Sequence, residues 1–360
     1  MGVATVLVRR ALMLFIALIV VLFLTAVIIG ATGYDERVLR AIVDQQVKAY
    51  TMNIIRTMKG ATEEEKVRNL IENYKKTLEE VYGLNKPWYE RLLPNVYRIL
   101  TLNLGNATSE DICSVAGLVY PCRVSDVIFA VLPRTIVMLT TAYIICAAIA
   151  LPLGPWIAYR RGSLTDNAAV TYAALFNARP VWWLGMIFIF VFGYRLGIAP
   201  TNYRGVMNAL AKLSTDPLRG LGEVLWYAYL PIVTVVITLL GSWIYYTRSM
   251  VIRIVMEDFV VVARAKGLPE RLIVRRHILR VAAPPIVTYT ILGLAASLGG
   301  YIITESVFDW PGMGTLYWTA IQVADANTLL ALIFMTTIVY VIARFILEVL
   351  YVILDPRVRY

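Results

Sequence analysis

The sequence predicts an all-α integral membrane protein with six transmembrane helices and a polar helical insert between the first two. Hydrophobic residues make up 59% of the 360 residues and charged residues 16%, whereas soluble domains contain about 45–50% and 25%. Six stretches are apolar and long enough to cross about 30 Å of hydrocarbon. A soluble globule could not bury this much apolar surface, and a disordered chain would carry more charge.

The first predicted span, 11–29, contains no charged residue and follows Arg9 and Arg10. A cleaved signal peptide has a similar basic start but a shorter apolar core of about 7–15 residues. We therefore predict an uncleaved helix, with 1–30 as the N-terminal tail and first span. The remaining five spans are predicted at 128–158, 168–193, 225–247, 284–304 and 328–353.

The distribution of Lys and Arg predicts that both termini are cytoplasmic. With the N-terminus inside, the inner segments carry 14 basic residues and the short outer loops carry 4, and cytoplasmic loops of plasma-membrane proteins carry the excess of positive charge. The net charge of +10 is therefore interpreted as a signal of membrane orientation, and no nucleic-acid partner is predicted. The expected location is the plasma membrane, with the lipid bilayer as a partner.

The segment 31–125 is predicted to be an extracytoplasmic helical insert, because its 13 basic and 12 acidic residues are interspersed. Its strongest helical pattern is 62–82, which begins with a capping box of Thr62 and Glu65 and ends at Gly83. Apolar side chains recur there at three- and four-residue spacing. This helix would receive a partner or shield the mouth of a pore.

Two covalent features are predicted on the outer side. Cys113 and Cys122 are separated by eight residues, and a pair in an oxidising compartment can form a disulfide that closes a short loop. Two buried free thiols are the alternative. Asn106 begins an Asn-Ala-Thr sequon, a weak signal for glycosylation.

The longest inner loop, 247–283, is predicted to form a stiff hairpin. It contains eight basic and three acidic residues, with apolar residues at helical spacing. Asp258 is expected to cap a helix that ends at Gly267, since glycine adopts the left-handed conformation without strain. Pro269 favours the start of a second short helix, 270–280. The hairpin would lie on anionic lipid or dock to a cytoplasmic partner.

This loop resembles the EAA loop of ABC importer permeases, specifically those of the dipeptide/oligopeptide/nickel class. The similarity covers nearly the whole chain, in order, and includes the stretches 7–10, 83–87, 104–105, 132–135, 151–154, 194–200, 258–268, 275–280, 305–314 and 354–357. The resemblance implies a type I ABC importer permease fold. It also implies that 126–360 is a five-helix permease core containing the coupling hairpin 247–283.

The resemblance further implies that the hairpin is a coupling helix held in a groove of an ATP-hydrolysing subunit. The residues assigned to this role are Glu257, Asp258, Ala263, Arg264, Ala265, Lys266, Gly267 and Leu268. The implied partners are a second homologous permease subunit, two ATP-binding subunits and an extracytoplasmic substrate-binding protein. ATP and Mg would be bound by those partner subunits, and no cofactor by this chain.

No enzyme is predicted. The sequence contains no phosphate-binding loop of the Gly-x-x-x-x-Gly-Lys-Ser/Thr type. One histidine and three scattered cysteines make a metal site or a thiol–imidazole pair implausible.

Polar residues within the spans are candidates for a translocation path, because a charge in the hydrocarbon should face protein or water. Arg179 lies near the middle of the third predicted span, with Asn177 and Trp183 close by in sequence. The alternative is a structural ion pair between Arg179 and a companion subunit. Glu305, at the outer end of the fifth span, is the fourth candidate, and the turn that it belongs to could instead be a Pro-Gly boundary turn.

The sequence therefore predicts a permease subunit that imports short peptides by alternating access. Small oligosaccharides are the alternative substrate. An ion-coupled secondary carrier is a less favoured function. Such a carrier would be expected to show carboxylates near the midplane and inverted repeats, and the sequence shows neither. A structural membrane subunit of an enzyme complex is the other rival.

Overall fold

The computed structural model describes residues 3–57 and 64–354, and in these residues the regular elements are helices. Four of the predicted spans are single long helices: α1 (Val3–Ala31), α6 (Val124–Tyr159), α10 (Pro217–Val255) and α15 (Ala326–Leu354). The fifth predicted span, 284–304, overlaps α12 (Glu270–Ser297) but runs seven residues past the end of that helix. The predicted positions of the other four spans are confirmed, and their helices extend beyond them.

The third predicted span is not one straight helix. It consists of α7 (Leu164–Asn177) and α8 (Val181–Arg195), which are bent by 89° at the break between them. Pro180 explains the break, because proline has no N–H for the helical ladder and disfavours the helical conformation of the residue before it. The prediction of an uninterrupted helix over 168–193 is therefore wrong.

The insert contains α2 (Tyr34–Thr57), α3 (Glu64–Val81), α4 (Trp88–Leu100) and α5 (Glu110–Ala116). Helix α3 matches the predicted helix 62–82, although Thr62 lies outside the described residues. It pairs with α2, and the rings of Tyr50 and Tyr74 stack with centroids 4.1 Å apart. The structure joins Cys113 and Cys122 by a disulfide. Asn106, just before this loop, forms an isolated antiparallel bridge with Arg123.

Helix α4 lies beside the outer half of α1 rather than in a cap above it. Trp88, at the start of α4, packs on Gly30, and Val96 and Ile99 share a buried cluster with Leu18 and Leu22. Two helices of about 18 Å in common length are therefore antiparallel neighbours at the depth of the first span. One helix of the predicted insert therefore packs along the first span.

The permease core is centred on α10, which packs against α6, α7 and α8. Small residues allow these helices to approach closely: Gly154 of α6 lies against Thr247, and Gly241 lies against the backbone of Ala173. Such contacts are typical of helix packing in membranes, where lipid tails are as apolar as leucine. Helix α15 packs on α1 and α12.

Short helices complete the two ends of this core. At the end predicted to be extracytoplasmic, called the outer side, α9 (Val206–Lys212) precedes α10, while α13 (Ile302–Val307) and α14 (Met313–Gln322) connect α12 to α15. At the end predicted to be cytoplasmic, called the inner side, α11 (Asp258–Ala265) connects α10 to α12.

Candidate functional site

The inner hairpin is the candidate docking site, and its first arm is the helix α11. Glu257 precedes this helix with an extended backbone (φ −74°, ψ 147°) and makes no side-chain capping bond. Asp258 lies inside the first turn, where the positive end of the helix dipole stabilises a carboxylate. The prediction that Asp258 caps the helix is therefore wrong by one residue.

Gly267 ends this arm as predicted. Its φ is +68°, a conformation that side chains with a Cβ rarely adopt. The amide of Gly267 donates to the carbonyl of Arg264 at 2.9 Å, and the amide of Leu268 donates to Ala263 at 3.3 Å. These bonds satisfy carbonyls at the end of α11 and fix the direction of the chain that leaves it.

The second arm is not a separate short helix. It is the beginning of α12, which runs from Glu270 to Ser297 and continues into the membrane through Pro284 and Pro285. A π-helical stretch, Ile273–Ile278, precedes these prolines. The prediction of a helix ending near 280 is therefore wrong. The hairpin and the fifth span therefore share one continuous helix.

One side of the hairpin is packed against the body of the protein. Val260 and Ala263 of α11 are buried, together with Ile273 and Ile278 of α12. They share a cluster with the inner ends of α6 and α10, including Ala158 and Val251. Burial of four aliphatic side chains contributes several kcal/mol, so the hairpin is held in one position on the core.

The other side of the hairpin exposes apolar and basic side chains. Met256 is 67% exposed and Val262 51% exposed, and Phe259 and Val261 are also exposed beside them. Among the residues assigned to coupling, Glu257, Asp258, Ala265, Lys266 and Gly267 are exposed, Leu268 is half-buried and Ala263 is buried. An exposed apolar patch with a charged rim is typical of a protein interaction site.

Arg264 stiffens the hairpin. Its Nε lies 3.1 Å from Oε1 of Glu270, which bridges the two arms across the glycine turn. The hydroxyl of Tyr159, followed by the charge of Glu270, raises the pKa of the Arg264 guanidinium. Arg264 thus already has partners within the chain, whereas Lys266 has no ion pair among the described residues.

Three candidate path residues gather at the bend between α7 and α8. The hydroxyl of Ser242, on α10, donates to the side-chain oxygen of Asn177. The guanidinium of Arg179 lies 5.4 Å from the ring centroid of Phe176 and forms no ion pair within the described part of the chain. Trp183, one turn into α8, is 41% exposed. The bend therefore presents an arginine and an indole on neighbouring turns.

Glu305 occupies a different environment, because it is fully buried. Its carboxylate accepts from the amides of Tyr301 at 3.2 Å and Gly314 at 3.0 Å, and from the hydroxyl of Thr135 at 3.4 Å. Burial raises its pKa to about 7. Each of these partners belongs to the chain itself, so the structure does not place Glu305 on an accessible path. We infer that its carboxylate stabilises the turn formed by residues 305–314, which we call the outer turn.

The outer turn joins two sequence motifs that are about 175 residues apart. The guanidinium of Arg134 donates to the carbonyls of Val115, Ala116 and Pro311 at 2.8–3.2 Å. The indole of Trp310 donates to the carbonyl of Arg134 at 3.1 Å. Arg134 and Thr135 were in a recognised motif, but the sequence contained no signal that this motif meets 305–314.

In the described part of the chain, no group of three or more His, Cys, Asp or Glu side chains is arranged to hold a metal ion.

Comparisons with known proteins agree with this architecture. A family model described as "binding-protein-dependent transport system inner membrane component" matches residues 150–360. The chain is 29% identical to the oligopeptide transport system permease protein AppB of Bacillus subtilis, over 78% of this chain and 84% of that protein. It is 28% identical to the di/tripeptide permease protein DppB of Pseudomonas aeruginosa, over 77% and 83%. It is also 28% identical to the glutathione permease protein GsiC of Escherichia coli, over 77% and 82%.

Proposed function

The chain belongs to the family of binding-protein-dependent transport system inner membrane components, and we propose that it forms one half of the translocation path of an ATP-driven peptide importer. It is a multi-pass protein of the plasma membrane, and its family consists of transport permeases. The other half of the path would be a second permease subunit, since a single set of spans leaves the bend at Arg179 and Trp183 open on one side.

The observation that carries the proposal is the inner hairpin, which is anchored on one face and exposed on the other. ATP hydrolysis would occur on two partner subunits, with ATP and Mg bound there. Closure of those subunits would displace the exposed face of α11. Because the second arm is continuous with α12, the displacement would be transmitted to the fifth span as a rigid-body motion.

Alternating access is the mechanism that we propose for this arrangement. The hairpin lies at the inner end of the core, and the bonded outer turn of Glu305 and Trp310 lies at the other end. With both termini cytoplasmic, an extracytoplasmic binding protein would deliver the solute beside that turn. Arg179, Asn177 and Trp183 would line the route between the two ends. A guanidinium is suited to recognise a peptide carboxylate.

Short peptides are the substrate class that the relatives support, because the three described above are named for oligopeptides, di/tripeptides and glutathione. Nothing comparable favours oligosaccharides. A secondary carrier is also disfavoured, since the buried carboxylates of the described residues (Asp166, Glu305, Asp325 and Glu348) lie near the ends of the spans.

A charge placed on the exposed face of α11 tests this function. In the reconstituted importer, Val262→Asp should abolish co-purification of the ATP-binding subunits and ATP-dependent peptide uptake, because the aspartate would have to be desolvated at the interface. The chain itself should accumulate normally, since Val262 is outside the core.

Leu164→Asp is the matched control. Leu164 also lies on the inner side, is 88% exposed and begins α7, where an acidic residue is favourable. This variant should retain both ATPase binding and uptake. Full uptake by Val262→Asp, or equal loss in both variants, would contradict the proposal.

A further inference from the structure

A cavity of about 330 Å³ lies at the outer ends of α1 and α15, where α4 covers them. Its apolar wall includes Ala26 and Ile29 of α1 and Leu330 of α15, with Trp88 of α4 beside them. Its polar wall includes Arg98, Thr108 and Asn327. The cavity is remote from both the inner hairpin and the bend at Arg179, so the proposed function leaves it unexplained.

Arg98 is the first of two buried groups that lack a partner there. Its Nη2 donates to the side-chain oxygen of Asn327 at 2.7 Å. Its Nε is buried and has no hydrogen-bond partner among the described residues, and no carboxylate among them forms an ion pair with it.

The hydroxyl of Thr108 is the second buried group without a partner in the described part of the chain. The backbone amide of the same residue donates to Asp325 at 2.9 Å. A buried polar group that lacks a hydrogen-bond partner destabilises the fold. Two such groups that line the same cavity indicate a shared ligand that accepts hydrogen bonds from both.

The charges around the cavity favour an anion. Lys86 and Glu90 also line it, but both are exposed, so the half-buried Arg98 is the charged group that faces the enclosed part of the cavity. Asp325 is close by, but its two oxygens accept from the amides of Thr108 and Thr328. A cationic, half-buried site with a hydroxyl donor is suited to a phosphate oxyanion.

We propose that this cavity binds a phosphate group carried by a phospholipid of the outer leaflet, with Arg98 and Thr108 as its donors. The apolar wall belongs to the outer ends of two transmembrane helices, which is the level at which headgroups meet hydrocarbon. Trp88 is typical of that interface. The exposed stripe of Tyr89, Leu93 and Tyr97 on α4 provides an apolar surface at the same level. A free phosphate shares this chemistry but does not need the apolar wall.

The test uses the assembled importer in detergent, titrated with short-chain phosphatidylglycerol or with glycerol phosphate, with bound ligand counted by native mass spectrometry. Arg98→Gln should weaken lipid binding by at least about tenfold, because a charge-assisted bond is lost. Thr108→Val should weaken it about threefold or more while leaving the ligand-free protein at least as stable, since an orphan hydroxyl is removed.

The matched control is Arg219→Gln, which alters an exposed arginine on the same side that faces Glu223 and should leave binding unchanged. Arg98→Gln also loses the bond to Asn327, so Thr108→Val, which retains that bond, keeps the result decisive. Saturable lipid binding that depends on both residues supports the proposal. Equal binding of glycerol phosphate would assign the site to free phosphate. Binding that ignores both substitutions, or no saturable binding, would overturn it.

Discussion

The inner hairpin and the outer turn both contain conspicuous sequence motifs, yet they differ in how far their side chains are buried. The hairpin buries Val260 and Ala263 and exposes Phe259, Val261 and Val262. The outer turn, by contrast, buries Glu305 and Trp310 completely and bonds them to α6. One motif leaves an unpartnered surface, and the other satisfies its polar groups within the chain.

We therefore expect the residues of one motif to be required for folding, and those of the other for contact with a partner. In the outer turn the glycines and the carboxylate are mutually required, because the turn closes around the carboxylate. In the hairpin the apolar side chains of Phe259, Val261 and Val262 stay exposed in the described part of the chain. Substitutions in the outer turn should therefore disturb folding, whereas substitutions on the exposed hairpin face should disturb assembly.

The largest effect is expected at Gly312. A Cβ at this position would collide with the Glu305 carboxylate and the Thr135 hydroxyl, and neither group has room to move. Gly312→Ala should therefore cost at least about 3 kcal/mol in the free energy of unfolding, seen as a large loss of folded protein in the membrane. Gly222→Ala is the control, because a Cβ at this helical position meets no atom within 4 Å and should be neutral or stabilising. Normal accumulation of Gly312→Ala would break the comparison.

An intermediate effect on the free energy of unfolding is expected when the pH is changed, because Glu305 titrates. Because burial raises the pKa of Glu305 from 4.5 to about 7, the folded chain holds a proton that the unfolded chain releases above pH 4.5. The contribution is therefore fully favourable below pH 4.5 and is lost as the pH rises through 7, by roughly 3 kcal/mol.

Thermal unfolding between pH 4.5 and 8 measures this contribution. The melting temperature of the wild type should fall with rising pH more steeply than that of Glu305→Gln, which carries no titratable proton. Replacement of the exposed Glu110 by Gln should leave the wild-type slope intact. Identical pH profiles for the wild type and Glu305→Gln would show that the carboxylate is not buried in the folded protein.

The smallest effect on stability is expected at Gly267. A left-handed residue with a Cβ costs about 1–2 kcal/mol, although there is open space around this glycine. Gly267→Val should therefore leave the core folded but shift α11 and reduce ATP-driven uptake severalfold. Gly267→Asn is the matched substitution, because asparagine tolerates positive φ, and it should retain most of the uptake. Equal uptake by both variants would show that the turn geometry is not needed for coupling.

Most of the spans and the first arm of the hairpin were predictable because their signals are local. Long apolar stretches identified the transmembrane helices. The turn at Gly267 followed from the preference of glycine for positive φ. Pro180 marked the bend in the third span, but a proline is also tolerated within membrane helices, so the 89° angle was not determined by the sequence. Asp258 and Glu257 differ by one residue in capping position, which is within the usual uncertainty of helix ends.

The features that were missed depend on tertiary packing. Helix α4 has one broad apolar face and one polar face, a pattern that indicates a packed or membrane-facing helix, but the sequence does not indicate that α1 is the neighbour. Glu305 looked like an accessible carboxylate because its donors, Thr135 and Gly314, come from separate elements. The two orphan groups of Arg98 and Thr108 likewise become visible when α4 and the 104–108 segment are brought against α15.

The central claim is that the exposed face of α11 contacts a nucleotide-driven subunit, and site-specific photo-crosslinking tests it most directly. A benzophenone side chain at position 262 of the assembled importer, in native membranes, should give a product with the combined mass of this chain and an ATP-binding subunit. The same group at position 164 should not. Crosslinks from position 262 to lipid alone, or to an extracytoplasmic protein, would contradict the account.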